Sequence, residues 1–147
     1  MRPIHLAATL VLAAATARAA EDPAKLIHGK WKLDVKLSAD TQNGYEGATP
    51  AQRESLARKI AAAVPDATFE FAPGTYAFGW TGKPVEKGTY EVSGSAPDRV
   101  LLGVLPDGAR PGDVDAVDQI DIKFHGPDVI RLVHNDIPYT LSLRRVK

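Results

Sequence analysis

The chain has 147 residues, of which 18 are Lys or Arg and 18 are Asp or Glu, so its formal charge is zero. This length is typical of a single domain, and the balanced charge argues against the dominant basic surface of a nucleic-acid-binding protein. The sequence contains no cysteine, which excludes a disulfide scaffold, a thiolate metal site, a cysteine nucleophile and a lipid-modified cysteine.

Residues 1–19 have the pattern of a secretory signal peptide. Arg2 gives a basic start, residues 6–15 form an apolar stretch, and Ala17 and Ala19 place small side chains where signal peptidase reads them. The apolar stretch is too short to span a bilayer. We therefore predict cleavage after Ala19.

Cleavage at this position leaves residues 20–147, which we expect to form one domain. It removes Arg2 and Arg18, so the mature chain of 128 residues has 16 basic and 18 acidic residues and a formal charge of −2. The mature sequence contains no apolar run of spanning length. We expect a soluble protein that is periplasmic or secreted and has no membrane anchor.

The first half of the mature chain predicts one strand and one helix. Residues 27–33 alternate in polarity, which is typical of a half-buried strand. Thr49 is placed to cap a helix with Pro50 at its first position and Gln52 in a capping box. The helix ends before Pro65, because the residue before a proline is pushed out of helical geometry.

The second half predicts short strands separated by turn residues. The apolar residues that mark these strands are, in chain order, Phe69, Phe71, Tyr76, Phe78, Trp80, Tyr90, Val100, Leu105, Ile120, Ile122, Phe124, Ile130, Leu132, Tyr139, Leu141 and Leu143. Short turns between consecutive strands favour a mainly β fold, an antiparallel up-and-down meander of about eight strands with one helix between strands 1 and 2. We expect the meander to close into a barrel, although an open, curved sheet under the helix has the same alternation.

Two segments carry a resemblance to a known family. Gly29-Lys30-Trp31 on the first strand resembles the glycine-x-tryptophan signature of the calycin superfamily, which includes the lipocalins and the fatty-acid-binding proteins. That resemblance implies a lipocalin-like barrel in which an arginine of the last strand packs over the tryptophan. Arg145 shares a face with Leu143 and is the first choice for this arginine, and Arg144 is the alternative.

The resemblance implies an exported, monomeric, non-catalytic protein that binds a small apolar or amphipathic ligand inside the barrel. The residues expected to line the cavity are Leu56 and Ile60 of the helix and Phe69, Phe78, Trp80 and Phe124 of the wall. Gly29, Trp31 and Arg145 are expected to be structural. The alternative is that the aromatic rings fill the barrel. The chain is then a protein-binding module, such as an inhibitor of a secreted hydrolase, that uses the loops over residues 38–49 and 106–116.

The acidic and histidine residues do not have the spacing of a metal site. Five acidic residues crowd the segment before and within the sixth strand, namely Asp107, Asp113, Asp115, Asp118 and Asp121. Their spacing does not match a calcium-binding loop, so a solvated acidic loop is expected. His28, His125 and His134 lack a zinc spacing, and His134 shares the face of Ile130 and Leu132. We predict no metal.

Catalytic and nucleotide motifs are also missing from the sequence. Ser93 and Ser95 flank Gly94, but we expect a hairpin turn there and not the strand-to-helix turn of a nucleophile elbow. The sequence has no phosphate-binding or dinucleotide-binding loop, so no cofactor is predicted. Arg53 and Arg58 accompany Glu54 on the helix, which is typical of a solvated face. We therefore predict neither an enzyme nor a nucleic-acid partner.

Overall fold

The structure is a computed structural model that describes residues 22–110 and 118–147. The predicted signal peptide and its cleavage site lie outside these ranges, as do residues 111–117. Among the described residues, the helices lack the length and apolar character that a membrane crossing requires.

Eight antiparallel strands form a closed barrel. They are β1 (Gly29–Leu33), β2 (Thr68–Ala72), β3 (Thr75–Gly79), β4 (Glu86–Ala96), β5 (Arg99–Pro106), β6 (Asp118–Phe124), β7 (Val129–His134) and β8 (Leu141–Arg145). Each strand pairs with the next, and β1 also pairs with β8. The predicted up-and-down meander is confirmed, and the open-sheet alternative is excluded because closure pairs both edges of the sheet.

The predicted helix is α3 (Pro50–Ala63), which lies between β1 and β2. Thr49 and Gln52 form its capping box, in which the Gln52 side chain accepts the Thr49 N–H at 2.8 Å. The cap residue at the other end is Val64, directly before Pro65. The capping box at the start of α3 and the proline after its end are both short-range signals that the sequence predicts correctly.

Two shorter helices were not predicted. In α1 (Pro23–Leu26), Ile27 is the C-cap residue, so β1 begins at Gly29 and not at residue 27. In α2 (Val35–Asp40), the Asp34 carboxylate accepts the Leu37 N–H at 2.9 Å. Helices of four and six residues are too short to show apolar periodicity.

Ser93, Gly94 and Ser95 lie within β4, so the hairpin turn predicted for them is wrong. The β4–β5 ladder shifts between Val92 and Gly94, and pairing continues to Ala96 opposite Arg99. A β-bulge at this position lets the strand continue through a serine and glycine segment that resembles a turn.

The two ends of the barrel carry different connections. The base carries α1 and the β2–β3, β4–β5 and β6–β7 turns. The opposite end, here called the helical end, carries α2, α3 and the β3–β4, β5–β6 and β7–β8 connections.

Inward-pointing side chains from all eight strands fill the barrel. Phe69 and Phe78 stack with ring centroids 5.3 Å apart, and Trp31 is fully buried. Leu56 and Ile60 of α3 belong to the same buried cluster, which joins the helix to the barrel core. The other strand residues in this cluster include Leu33, Phe71, Tyr76, Tyr90, Val100, Leu102, Val104, Ile120, Ile122, Ile130, Leu132, Leu141 and Leu143.

Candidate functional site

A contact between the first and last strands closes the base. The guanidinium carbon of Arg145 lies 4.2 Å from the centre of the Trp31 ring. Arg145 donates hydrogen bonds of 2.7 Å to the carbonyl oxygens of Leu26 and His28, and the Trp31 indole donates one of 2.8 Å to that of Ile27. These contacts hold α1 against the barrel, which gives Trp31 and Arg145 a structural role.

Gly29 and Arg144 flank this contact. Gly29 has a φ of +125°, and a Cβ there would lie 3.0 Å from Nη1 of Arg145, so the position favours glycine. Arg144 lies outside the barrel, with its Nε 2.5 Å from Oδ2 of Asp34. Burial acts to raise the pKa of Asp34, but hydrogen bonds from the Leu37 N–H and from Arg144 outweigh it, and the pKa lies below its usual value.

Four of the six expected ligand-lining residues are core residues. Leu56, Ile60, Phe69 and Phe78 are each at most 3% exposed. The rings of Tyr76 and Phe69 both lie next to that of Phe78, at centroid distances of 6.0 and 5.3 Å. In this closed arrangement these four side chains contact other core residues.

Trp80 and Phe124 are only partly buried, and the structure does not bring them together. Trp80 follows β3 at the helical end, where Nζ of Lys83 lies 4.2 Å from the centre of the indole ring. Phe124 ends β6 at the base. Trp80 and Phe124 therefore lie at opposite ends of the barrel, because antiparallel strands reverse direction at every turn.

The segment between α2 and α3, residues 41–49, is the exposed part of the predicted contact loop over residues 38–49. Ser38 belongs to α2 and is buried, and its hydroxyl accepts the Ser142 N–H at 2.8 Å. Tyr45 projects from the segment and is 42% exposed. In the second predicted loop, Pro106 ends β5, and residues 111–116 lie outside the described residues.

The α2–α3 segment is fixed to the rest of the molecule. The Gln42 side chain donates to the Thr140 carbonyl oxygen and accepts the Thr140 N–H, both at 2.9 Å. The Arg53 guanidinium donates hydrogen bonds of 3.4 Å to the carbonyl oxygens of Glu46 and Ala48. One end of the segment is thereby tied to Thr140, directly before β8, and the other to α3.

Two surface cavities lie beside this segment. The larger, of about 630 Å³, is lined by residues of α2 and α3 that include Ala39, Arg53 and Ala57. The other, of about 430 Å³, is lined by Tyr45 and by residues of α3 that include Leu56. Both cavities are open to solvent and lie outside the barrel interior.

A polar cluster that sequence reasoning missed lies at the helical end. Asp118, His134 and Asp136 each place one potential ligand atom within 4.8 Å of the others. His134 is 1% exposed, and its Nδ1 accepts the Asp136 N–H at 3.0 Å. Its Nε2 is buried and has no hydrogen-bond partner within residues 22–110 and 118–147.

Further carboxylates surround Tyr76 at the same end. The Tyr76 hydroxyl donates to Oε2 of Glu86 at 3.1 Å. Burial, followed by the negative charges of Glu86, Asp118 and Asp107, raises the pKa of Tyr76 well above its usual range. Three carboxylates therefore act on the Tyr76 hydroxyl.

The register of β6 and β7 brings the cluster together. Ile120 pairs with His134, so Asp118, two residues before Ile120, and Asp136, two residues after His134, lie on the same side of this pair. Asp121, which is close to Asp118 in the sequence, does not join the cluster. It forms an ion pair with Arg99 on the outer face of the barrel. Asp113 and Asp115 lie outside the described residues.

The other two described histidines lie apart from the cluster. Nε2 of His28 lies 3.2 Å from the Tyr90 hydroxyl at the base. Burial, together with the positive charges of Arg131 and Lys123, lowers the pKa of His125. His28 and His125 therefore belong to the surface of the barrel and not to the cluster.

No family model, curated protein or solved structure matches the chain.

Proposed function

We propose that this chain is a non-catalytic protein-binding module with a solid barrel. The observation that carries the proposal is the packing of the interior, where Trp31, Phe69 and Phe78 are each at most 2% exposed. Large aromatic rings in contact with one another stabilise a barrel but leave little room for a ligand. Binding is then a property of the outer surface.

The α2–α3 segment is the proposed contact surface. Tyr45 is an exposed aromatic side chain that lines one of the two surface cavities, and aromatic side chains are common energetic anchors of protein interfaces. Gln42 and Arg53 hold the segment through hydrogen bonds at both of its ends. A loop already fixed in one conformation loses less entropy on binding, which favours affinity.

The partner that we propose is a secreted protein, such as a hydrolase that the module inhibits. This follows from the signal-peptide pattern of residues 1–19 and from the projecting segment on a rigid barrel. Binding loops on rigid scaffolds are a common arrangement in proteins of this kind. We propose that the mature chain is an exported monomer.

We also propose membership of the calycin superfamily. The closed barrel of eight antiparallel strands is compatible with a lipocalin-like fold. The positions of Gly29, Trp31 and Arg145 support the proposal, because the guanidinium group lies over the indole ring as the resemblance implies.

A small apolar ligand is the second candidate. The partly buried Trp80, with Lys83 over its ring, offers an aromatic and cationic surface at the helical end. Entry to the interior would require α3 to move, because Leu56 and Ile60 are buried against the barrel. The ligand-binding candidate therefore requires a small molecule bound to the intact barrel, whereas the protein-binding candidate does not.

Affinity capture from the secreted proteins of the source organism tests the proposal. The baits are the mature protein, Tyr45→Ala and the matched control Val92→Ala, which changes an exposed apolar side chain on β4. We expect the wild type and Val92→Ala to retain one and the same protein and Tyr45→Ala to lose it. Equal retention by Tyr45→Ala would overturn the proposed surface.

Native mass spectrometry of the same preparation tests the second candidate. We expect the bare mass of the mature chain, since the interior is packed. An added small-molecule mass that disappears on denaturation would favour the ligand-binding alternative.

A further inference from the structure

The cluster at the helical end combines one imidazole with two carboxylates. Asp118 begins β6, His134 ends β7 and Asp136 follows in the β7–β8 connection, with one potential ligand atom of each within 4.8 Å of the others. Nδ1 of His134 lies 4.0 Å from Oδ2 of Asp136. A bound ion would draw these atoms together, since coordination distances for nitrogen and oxygen ligands are about 2.0–2.2 Å.

His134 has an unusual environment for a core residue. Its ring is 1% exposed and lies 5.3 Å from the ring of Phe78, while Nε2 lacks a hydrogen-bond partner in the described parts of the chain. Buried polar atoms are nearly always paired, so an unpaired one calls for a specific explanation. Because Nδ1 accepts the Asp136 N–H, the hydrogen of the neutral ring resides on Nε2.

A bound cation would take ligands from the buried imidazole and from the two carboxylates of the cluster. Coordination through Nδ1, which lies 4.0 Å from Oδ2 of Asp136, would replace the hydrogen bond from the Asp136 N–H and leave the ring proton on Nε2. Coordination through Nε2 would instead move the ring proton to Nδ1 and remove that hydrogen bond. Asp136 is 62% exposed at its side chain, which gives an ion access to the buried ring. Glu86 and Asp107 add negative charge nearby, as the raised pKa of Tyr76 indicates.

We propose that Asp118, His134 and Asp136 form a binding site for a divalent transition-metal ion, with Zn²⁺ as the best-fitting ion. An imidazole nitrogen suits Zn²⁺ better than Ca²⁺ or Mg²⁺, which take oxygen ligands. Three protein ligands leave at least one coordination position for water or for a group of another molecule. None of these three residues belongs to the α2–α3 segment, and the metal site does not depend on the proposed function.

The test is calorimetric titration of untagged, chelator-treated protein with Zn²⁺, and with Mg²⁺ and Ca²⁺ as comparison ions. The variants are Asp118→Asn and Asp136→Asn, which keep the side-chain shape, and the matched control is Glu91→Gln at an exposed carboxylate on β4. Nitrogen-15 NMR of the imidazole rings identifies the ring and the nitrogen that bind. Circular dichroism establishes that each variant is folded before titration.

We expect one Zn²⁺ per chain and a shifted ring nitrogen at His134. Each aspartate variant is expected to weaken binding by about tenfold or more, and Glu91→Gln to leave it unchanged. Absence of Zn²⁺ binding, unchanged affinity in both aspartate variants, or a shift confined to His28 or His125 would overturn the proposal.

Discussion

The guanidinium group of Arg145 stacks on the indole ring of Trp31, with its carbon 4.2 Å from the ring centre, and so ties β8 to β1 and to α1. The same arginine donates to two carbonyl oxygens at the end of α1. One side chain of β8 therefore joins this strand to α1 and β1, which lie at the other end of the described sequence.

Replacing Arg145 with alanine tests this role. We expect Arg145→Ala to lower the free energy of unfolding by about 2–3 kcal/mol, because it removes the cation–π contact and leaves two carbonyl oxygens without a donor. The matched control is Arg144→Ala, whose exposed ion pair with Asp34 is worth about 0–1 kcal/mol. Urea denaturation measures both, and an equal loss in the two variants would contradict the assignment.

Phe78 is the central ring of the aromatic core. We expect Phe78→Ala to destabilise by about 3–5 kcal/mol, because it leaves a cavity among Phe69, Tyr76 and His134. Trp80→Ala should cost less, since Trp80 is only partly buried. Denaturant titration gives the ranking, and a larger loss at Trp80 would argue against Phe78 as the centre of the packing.

Gly88 lies where three strands approach closely. A Cβ at this position would lie 2.2 Å from the Leu105 carbonyl oxygen and 2.8 Å from the Tyr76 ring. We expect Gly88→Ala to destabilise by about 1–3 kcal/mol or more, because the backbone must move. Gly94→Ala on the same strand is the control, since its Cβ would make an ordinary contact of 3.8 Å with Leu101. Thermal unfolding compares them, and similar melting temperatures would contradict the packing.

Asp34 should give part of the acid sensitivity of the fold. Its pKa in the folded protein lies below the ordinary value of 3.8, because the hydrogen bonds from the Leu37 N–H and Arg144 outweigh the effect of burial. The stabilisation is therefore fully present above the unfolded-state pKa and is lost as the pH falls through the folded-state pKa.

The variant Asp34→Asn isolates this contribution. We expect its free energy of unfolding to fall less between about pH 6 and about pH 3 than that of the wild type. Glu91→Gln, at an exposed carboxylate, should retain the wild-type slope. Identical slopes for wild type and Asp34→Asn would show that this carboxylate does not contribute.

Local patterns in the sequence predicted the strands and α3. Alternation of apolar residues marks a strand wherever one face is buried, and Thr49, Gln52 and Pro65 mark the ends of a helix through contacts made within a few residues. Helices α1 and α2 could not be predicted in this way, because each depends on a single aspartate cap and on packing against the barrel.

To predict at which end of the barrel a side chain lies, one must know the number and the order of the strands that precede it. In an up-and-down barrel successive strands end alternately at the helical end and the base, so Trp80 after β3 and Phe124 at the end of β6 fall at opposite ends. The meeting of Asp118 with His134 depends on the β6–β7 register, which residue spacing along the chain does not give.

Barrel closure through β1 and β8 also has a consequence for how the protein reaches its native state. Asp34 and Arg144, which meet beside this seam, are 110 positions apart in the chain. Until β8 docks, one edge of β1 and one edge of β7 expose unpaired backbone groups that can pair with another chain. Contacts of such long range slow folding, so the newly made chain has an aggregation-prone interval that ends when the last strand docks.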